Sequence, residues 1–248
     1  MNILQKIVDN TRTKLVNKKE QLPLKKIRIS LDNSNLPMSR FKSSISNQDE
    51  AIIAEIKKAS PSAGIISDSF DPVKKAKEYE SFGASALSIL TEEDFFMGSI
   101  ENLKDVKEAT HLPILRKDFI IDEYQIYESK LIGADCILLI ASILSDQQLD
   151  DFAYIAEKLD LDYLIEVHDE YELSRVEHFQ NALIGVNNRN LQTFEVDINH
   201  SVRLRSLFYK DNVFVAESGI KSKEDIKYLK EKNIRVFLIG ESLMRNSF

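Results

Sequence analysis

Tryptophan is absent from this 248-residue chain and cysteine occurs once, at position 136. A lone thiol excludes an intrachain disulfide framework and suits a reducing compartment. Cys136 lies inside an apolar run, so it is expected to be a small buried hydrophobe. Histidine is scarce, and His111, His168, His178 and His200 show no metal-ligand spacing. Neither a metal nor a cofactor is therefore expected, and His168 is expected to be a solvated loop residue. Positive charge is in deficit, with 33 Lys and Arg against 40 Asp and Glu and a formal net charge of -7. That balance argues against a nucleic-acid partner. Apolar runs fall far short of the roughly 20 residues that cross a bilayer. The first nineteen residues are dotted with charge, so neither a signal peptide nor an anchor is expected. The exclusions point to a cytoplasmic protein.

Short apolar runs are abundant. They occur at Ala51–Ile56, Ala86–Leu90, Pro113–Leu115, Cys136–Ile140, Tyr163–Val167, Leu183–Val186, Val213–Ala216 and Val236–Ile239. They are continuous rather than alternating, as in parallel strands buried on both faces. Polar helix-forming stretches separate them, among them Pro72–Phe82, Ile100–Ala109, Tyr124–Ile132 and Asp146–Leu159. Phe82-Gly83-Ala84 and Ile132-Gly133-Ala134 each close a helix with glycine before the next strand. Eight strand–helix units of roughly 25 residues predict an α/β fold, a (β/α)8 TIM barrel over 51–248. Residues 1–50 read as a helical extension lying against it, the whole forming one domain. Only Glu241–Phe248 follow the last strand. This shortened C-terminal end, a truncation or a side covered by another element, predicts exposed apolar surface and hence a monomer or weak homodimer.

The last two strands end in Glu217-Ser218-Gly219 and Gly240-Glu241-Ser242. Glycine lets backbone N–H groups approach an oxyanion, and serine adds a hydroxyl donor. Loops after strands 7 and 8 are the usual phosphate position in this barrel. Gly219, Gly240, Glu241 and Ser242 are therefore candidate phosphate-binding residues. The other strand ends supply Glu55 and Lys57, Ser88, Arg116-Lys117-Asp118, Glu166, Asn187 with Arg189, and Glu217 with Ser218. Glu55 and Lys57 stand two apart and share one strand face. Charges converging on one rim are costly unless they serve a site. Neighbouring lysines there would lower one another's pKa.

Ile53-Ala54-Glu55-Ile56-Lys57-Lys58-Ala59-Ser60-Pro61-Ser62 resembles the signature of the indole-3-glycerol phosphate synthase family. The likeness continues through Ser88-Ile89-Leu90-Thr91-Glu92, Phe96-Met97-Gly98-Ser99 and Pro113-Ile114-Leu115-Arg116-Lys117-Asp118-Phe119-Ile120. It extends to Glu166-Val167-His168, Ile184-Gly185-Val186-Asn187-Asn188-Arg189 and both glycine loops. The strand-1 and Lys117-Asp118-Phe119 motifs are specific, whereas the glycine loops are common to many phosphate-binding barrels.

The resemblance implies a lyase of tryptophan biosynthesis that closes 1-(2-carboxyphenylamino)-1-deoxyribulose 5-phosphate to an indole, losing CO2 and water. It implies Lys117 as the general acid on the keto oxygen and Glu166 as the base in dehydration. Lys57, Glu55, Asn187 and Ser218 would orient substrate and intermediate. Ser60, Ser88, Arg189 and Glu217 would contact substrate, and Phe96 and Phe119 would pack its aromatic ring. Ala63 stands where the family usually has lysine, and Asn190 where aspartate is common.

Other readings stay open. Lys117 could form a Schiff base in an aldolase-like barrel, although the flanking charges oppose the desolvation this needs. Phosphoribosylanthranilate isomerase shares the phosphate loops but not the strand-1 motif. An inactive scaffold barrel would have no use for Glu55, Lys57, Lys117 and Glu166.

Overall fold

A computed structural model describes residues 3–67, 69–190 and 193–248. Eight parallel strands close into a barrel: β1 (Ala51–Ile56), β2 (Ala86–Leu90), β3 (Ile114–Lys117), β4 (Cys136–Ile140), β5 (Asp162–Val167), β6 (Leu183–Asn187), β7 (Phe214–Glu217) and β8 (Val236–Ile239). Each pairs with its sequence neighbour, and β8 pairs with β1 through Ala51↔Val236 to Ala54↔Ile239. Several strands run one or two residues beyond the apolar run that marked them. The ladder continues through Lys117, Asn187 and Glu217, whose polar side chains hide the strand end from a hydropathy reading.

Alternation divides the buried residues into two cores. Ile53, Leu115, Leu138, Leu164, Val215 and Leu238 fill the barrel interior, and Cys136 is buried with them. Ala54, Ile89, Ile137, Ile165, Val186 and Phe237 face the helical layer. Each fully buried Leu, Ile, Val or Phe side chain among them contributes about 1.5–3 kcal/mol. Gly83 and Gly133 adopt φ of 94° and 89° at helix ends, the left-handed geometry that glycine tolerates best.

The described residues of the extension form three helices, α1 (Ile3–Gln21), α2 (Leu24–Asp32) and α3 (Phe41–Ser46). Phe41 and Ile45 of α3 join the interior cluster and close the barrel beneath. Leu15 of α1 and Ile27 of α2 pack on Tyr124, which belongs to the helix after β3, α6 (Glu123–Leu131). Lys14 pairs with Glu93 at 2.7 Å and Asp94 at 2.6 Å, fixing α1 beside the barrel mouth. Among the described residues, no helix is long and apolar enough to cross a membrane.

The shortened end does not leave the expected bare face. Outward-facing Phe237 and Ile239 are 0% and 2% exposed, and they share a cluster with Leu243 and Met244 of the four-residue helix α11 (Glu241–Met244). Phe248 packs on that cluster and meets Phe82 edge-on at 6.2 Å. Leu243, Met244 and Phe248 thus cover this side, in the same cluster as buried Ala54 and Ala76.

Candidate active site

A cavity of about 450 Å³ opens at the C-terminal ends of the strands. Its walls include Glu55, Lys57, Lys117, Glu166, Glu217 and Asn187. Ser60, Phe96, Phe119, Arg189 and Ser218 also line it, as do Gly219, Gly240, Glu241 and Ser242. One expected residue does not. Ser88 is fully buried in register with Glu55, one layer beneath Leu90, and offers the cavity no atom. Its strand-end position was legible, but its depth below the rim was not. Ile3, Leu4 and Ile7 of α1 also reach the cavity, a contribution that helical spacing alone did not reveal.

Lys117 ends β3, with its Nζ 3.0 Å from Glu166 Oε2 and 2.5 Å from Glu217 Oε2. Burial alone would lower its pKa, but attraction to Glu217, Glu166 and Glu55 outweighs this and the net movement is upward. The expected depression by a second lysine is therefore reversed. Lys57 is spent on a short ion pair with Glu55, and the groups facing Lys117 are carboxylates. Arg116, next along the strand, points to the opposite face and is fully buried. It donates to Thr91, Gln125, Ser129, Asp118 and Glu128, which anchors the strand beneath Lys117. Breaking such a buried cluster costs about 3–5 kcal/mol.

The two carboxylates beside Lys117 are held in opposite states. Burial would raise Glu166, but Lys117 and then His168 lower it below the ordinary carboxylate range. Glu217 is raised by burial; Lys117 opposes this, Glu166 and Glu55 reinforce it, and the result is about 7. One buried pair thus holds an ionised carboxylate and one poised to carry a proton.

His168 is not the solvated loop residue its position suggested. Its side chain is 17% exposed, with Nε2 3.2 Å from Glu166 Oε1 and Nδ1 3.3 Å from Glu172 Oε2. The first contact is an ion pair without hydrogen-bond alignment. Glu172 sits in the first turn of α8 (Glu170–Val176), capped by Asp169. A carboxylate four residues on in Glu166-Val167-His168-Asp169-Glu170-Tyr171-Glu172 was the available signal.

Asn187 donates from Nδ2 to Glu166 Oε1 at 3.2 Å and accepts from the Arg189 N–H at 3.0 Å. Arg189 reaches Glu241 at 3.8 Å across the mouth. Gly219 has φ 81°, and an added Cβ would strike the Val196 side chain. A Cβ on Gly240 would strike the Glu55 carboxylate. Ser242 Oγ donates to Ile220 O at 2.9 Å, tying the two glycine loops together instead of projecting a free hydroxyl. The Phe96 and Phe119 rings stand 5.9 Å apart at 38°, a tilted aromatic wall. The site combines a rim of two glycine-bearing loops, an aromatic wall and a lysine held between two unequal carboxylates.

Comparison with known proteins identifies what this arrangement is similar to. The family model for indole-3-glycerol phosphate synthase matches residues 4–247. A curated indole-3-glycerol phosphate synthase of Lachnoclostridium phytofermentans is 46% identical over 99% of this chain and 95% of its own length. Those of Ruminiclostridium cellulolyticum and Acinetobacter baylyi are each 45% identical over 98% of the chain, covering 94% and 91% of their own lengths. A solved N-acetylmannosamine-6-phosphate 2-epimerase from Clostridium perfringens superposes with TM-score 0.63, covering 86% of this chain and 95% of that one. At 13% identity this last likeness concerns the fold alone.

Proposed function

The chain belongs to the indole-3-glycerol phosphate synthase family, and on that premise we propose that it closes 1-(2-carboxyphenylamino)-1-deoxyribulose 5-phosphate to indole-3-glycerol phosphate. The observation that best supports the residue roles is Lys117 Nζ, partly buried and held charged between Glu166 and Glu217 in a partly apolar cavity. The cavity volume suits one small ligand.

The substrate phosphate is assigned to Gly219, Gly240, Glu241 and Ser242, with Ser218 adjoining. Here the glycines supply backbone access, while Glu241, paired with Arg245 at 3.2 Å, frames the rim. The anthranilate ring is assigned to the Phe96–Phe119 wall, with its carboxylate toward Lys57, Arg189 and Ser60. Ring closure joins the carboxylate-bearing ring carbon to the keto carbon, and Lys117 gives a proton to the oxygen as negative charge develops. A lysine held protonated at working pH arrives ready for that transfer. CO2 then departs and aromaticity returns. In dehydration Glu166 takes the proton from carbon while the hydroxyl leaves as water, with Lys57 placed to share acid duty. Asn187 orients Glu166, and Glu55 holds Lys57. Glu217, at about 7, can exchange a proton with Lys117 between steps. Every step uses this chain's own acids and bases, so no cofactor or metal is invoked.

A Schiff-base mechanism is disfavoured by the same geometry, because a nucleophilic lysine needs a lowered pKa and Lys117's is raised. We further read the 1–50 extension and 51–248 barrel as one cytoplasmic unit, a monomer or weak homodimer. Continuous fluorescence with the purified chain tests the function. Indole product should accumulate with one CO2 released per turnover, and absence of product at saturating substrate would overturn the assignment.

A further inference from the structure

The ring around Lys117 contains a cation that the proposed mechanism does not use. His168 sits just past β5 with a carboxylate against each ring nitrogen, Glu166 at Nε2 and Glu172 at Nδ1. A neutral imidazole carries no charge to set against either carboxylate, whereas an imidazolium pairs electrostatically with both, at 3.2 Å and 3.3 Å. Glu172 is 8% exposed and is fixed from two sides. Its Oε2 accepts the His168 backbone N–H at 2.7 Å, and its own N–H donates to Asp169 at 2.8 Å. Behind the backbone, His200 of α9 (Asn199–Leu207) makes a 2.8 Å contact from Nε2 to the His168 carbonyl. That contact requires a protonated Nε2, and Nδ1 accepts from Arg203 at 2.9 Å, so His200 is the neutral histidine of the two. The charged and titratable groups around His168 are therefore Glu166 on β5, Asp169 and Glu172 at α8, His200 and Arg203 on α9, and Arg189, Glu195 and Asp197 between β6 and α9. The two in direct ring contact are anionic.

We propose that His168 is a positioning residue, an imidazolium clamped between Glu166 and Glu172 that keeps Glu166, rather than Glu217, the ionised carboxylate of the pair beside Lys117. The proposal rests on the assignment of Glu166 as base, and it explains an asymmetry that Lys117 alone cannot. Lys117 touches both carboxylates, at 3.0 Å and 2.5 Å. Among the described residues only Glu166 has a second cation, and Glu217 Oε1 has no hydrogen-bond partner. Two cations and the Asn187 amide on Glu166, against Lys117 alone on Glu217, favour Glu166 as the carboxylate that gives up its proton. Burial would lower the imidazole's pKa, but Glu166 and Glu172 override it and lift it to about 10.

Two substitutions separate the contacts by length. His168→Asn can reach Glu172 from the Nδ1 position but not Glu166. His168→Gln places a neutral donor near the Nε2 position. With wild-type turnover established first, the Asn variant should lose roughly tenfold to a hundredfold in kcat at nearly constant KM, part of what a general base supplies. Its acidic limb in the kcat profile should move upward, because Glu166 no longer faces an imidazolium. The Gln variant should recover part of kcat but leave the limb displaced. Imidazole NMR of the wild type, which needs no turnover, should show His168 protonated past pH 8 and released near 10. Wild-type-like kcat and pH profile in His168→Asn would overturn the proposal. So would a loss of kcat with an unmoved limb, or an imidazole that titrates near its ordinary value. An inactive wild type would instead count against the functional reading, and the NMR titration would still decide the protonation of His168.

Discussion

Replacing Glu217 with glutamine should stabilise the protein above neutral pH while slowing it. Glu217 is 2% exposed, and burial, reinforced by Glu166 and Glu55 against the pull of Lys117, raises its carboxyl from 4.5 to about 7. The unfolded chain releases this proton near 4.5, whereas the folded protein keeps it to about 7. The favourable contribution is thus fully present below 4.5, is lost as pH rises towards 7 and stays lost above. At about 1.4 kcal/mol per pH unit the loss comes to about 3 kcal/mol. Glutamine resembles the protonated acid and cannot ionise, so Glu217→Gln escapes it. For a chain of this size, about 3 kcal/mol corresponds to a Tm increase of roughly 6–12 °C. Thermal melts followed by circular dichroism should therefore agree within about 2 °C near pH 4.5 and diverge by that amount near pH 8.5, the variant higher. Turnover should fall at least about tenfold, because Lys117 loses its 2.5 Å partner. A variant that melts no higher than wild type near pH 8.5 would refute the claim that ionised Glu217 is held at a cost.

Two further substitutions probe the rim and the base. Gly219→Val should raise KM for the phosphorylated substrate by about tenfold or more with kcat changed far less, since φ 81° and the Val196 side chain oppose any Cβ there. Steady-state kinetics on a variant with wild-type circular dichroism checks this, and an unchanged KM would remove the loop from phosphate binding. Glu166→Gln keeps the shape but cannot take a proton, so it should slow dehydration more than ring closure. Rapid-quench analysis should then find CO2 released ahead of indole, and strictly simultaneous release would contradict the role of base.

The barrel was legible because parallel strands buried on both faces leave uninterrupted apolar runs, such as Cys136–Ile140 and Val236–Ile239. The rim was legible because charge inside such strands is costly without a purpose, which singled out Glu55, Lys117 and Glu166. What the sequence hid was proximity across elements. Lys57 and Lys117 looked like mutual neighbours, yet each faces carboxylates, which reversed the expected pKa movement of Lys117. Ser88 had the right strand and the wrong depth. His168 resembled a loop residue because its burial depends on the first turn of α8 folding back over it, and the clamp on Glu166 appears only when β5 and that turn are in place. The C-terminal face looked bare because the packing of Leu243, Met244 and Phe248 over it exists only in the folded chain.

Lys117 carries the central claim, as the one cation held between the unequal carboxylates and the assigned donor to the keto oxygen. The most direct test is steady-state turnover of Lys117→Met, monitored by indole fluorescence beside the wild type. The transfer it makes strengthens as charge develops on oxygen, so kcat should fall by roughly 100-fold to 10,000-fold with little change in KM. A Lys117→Met protein that is folded and turns over at near wild-type kcat would contradict the account.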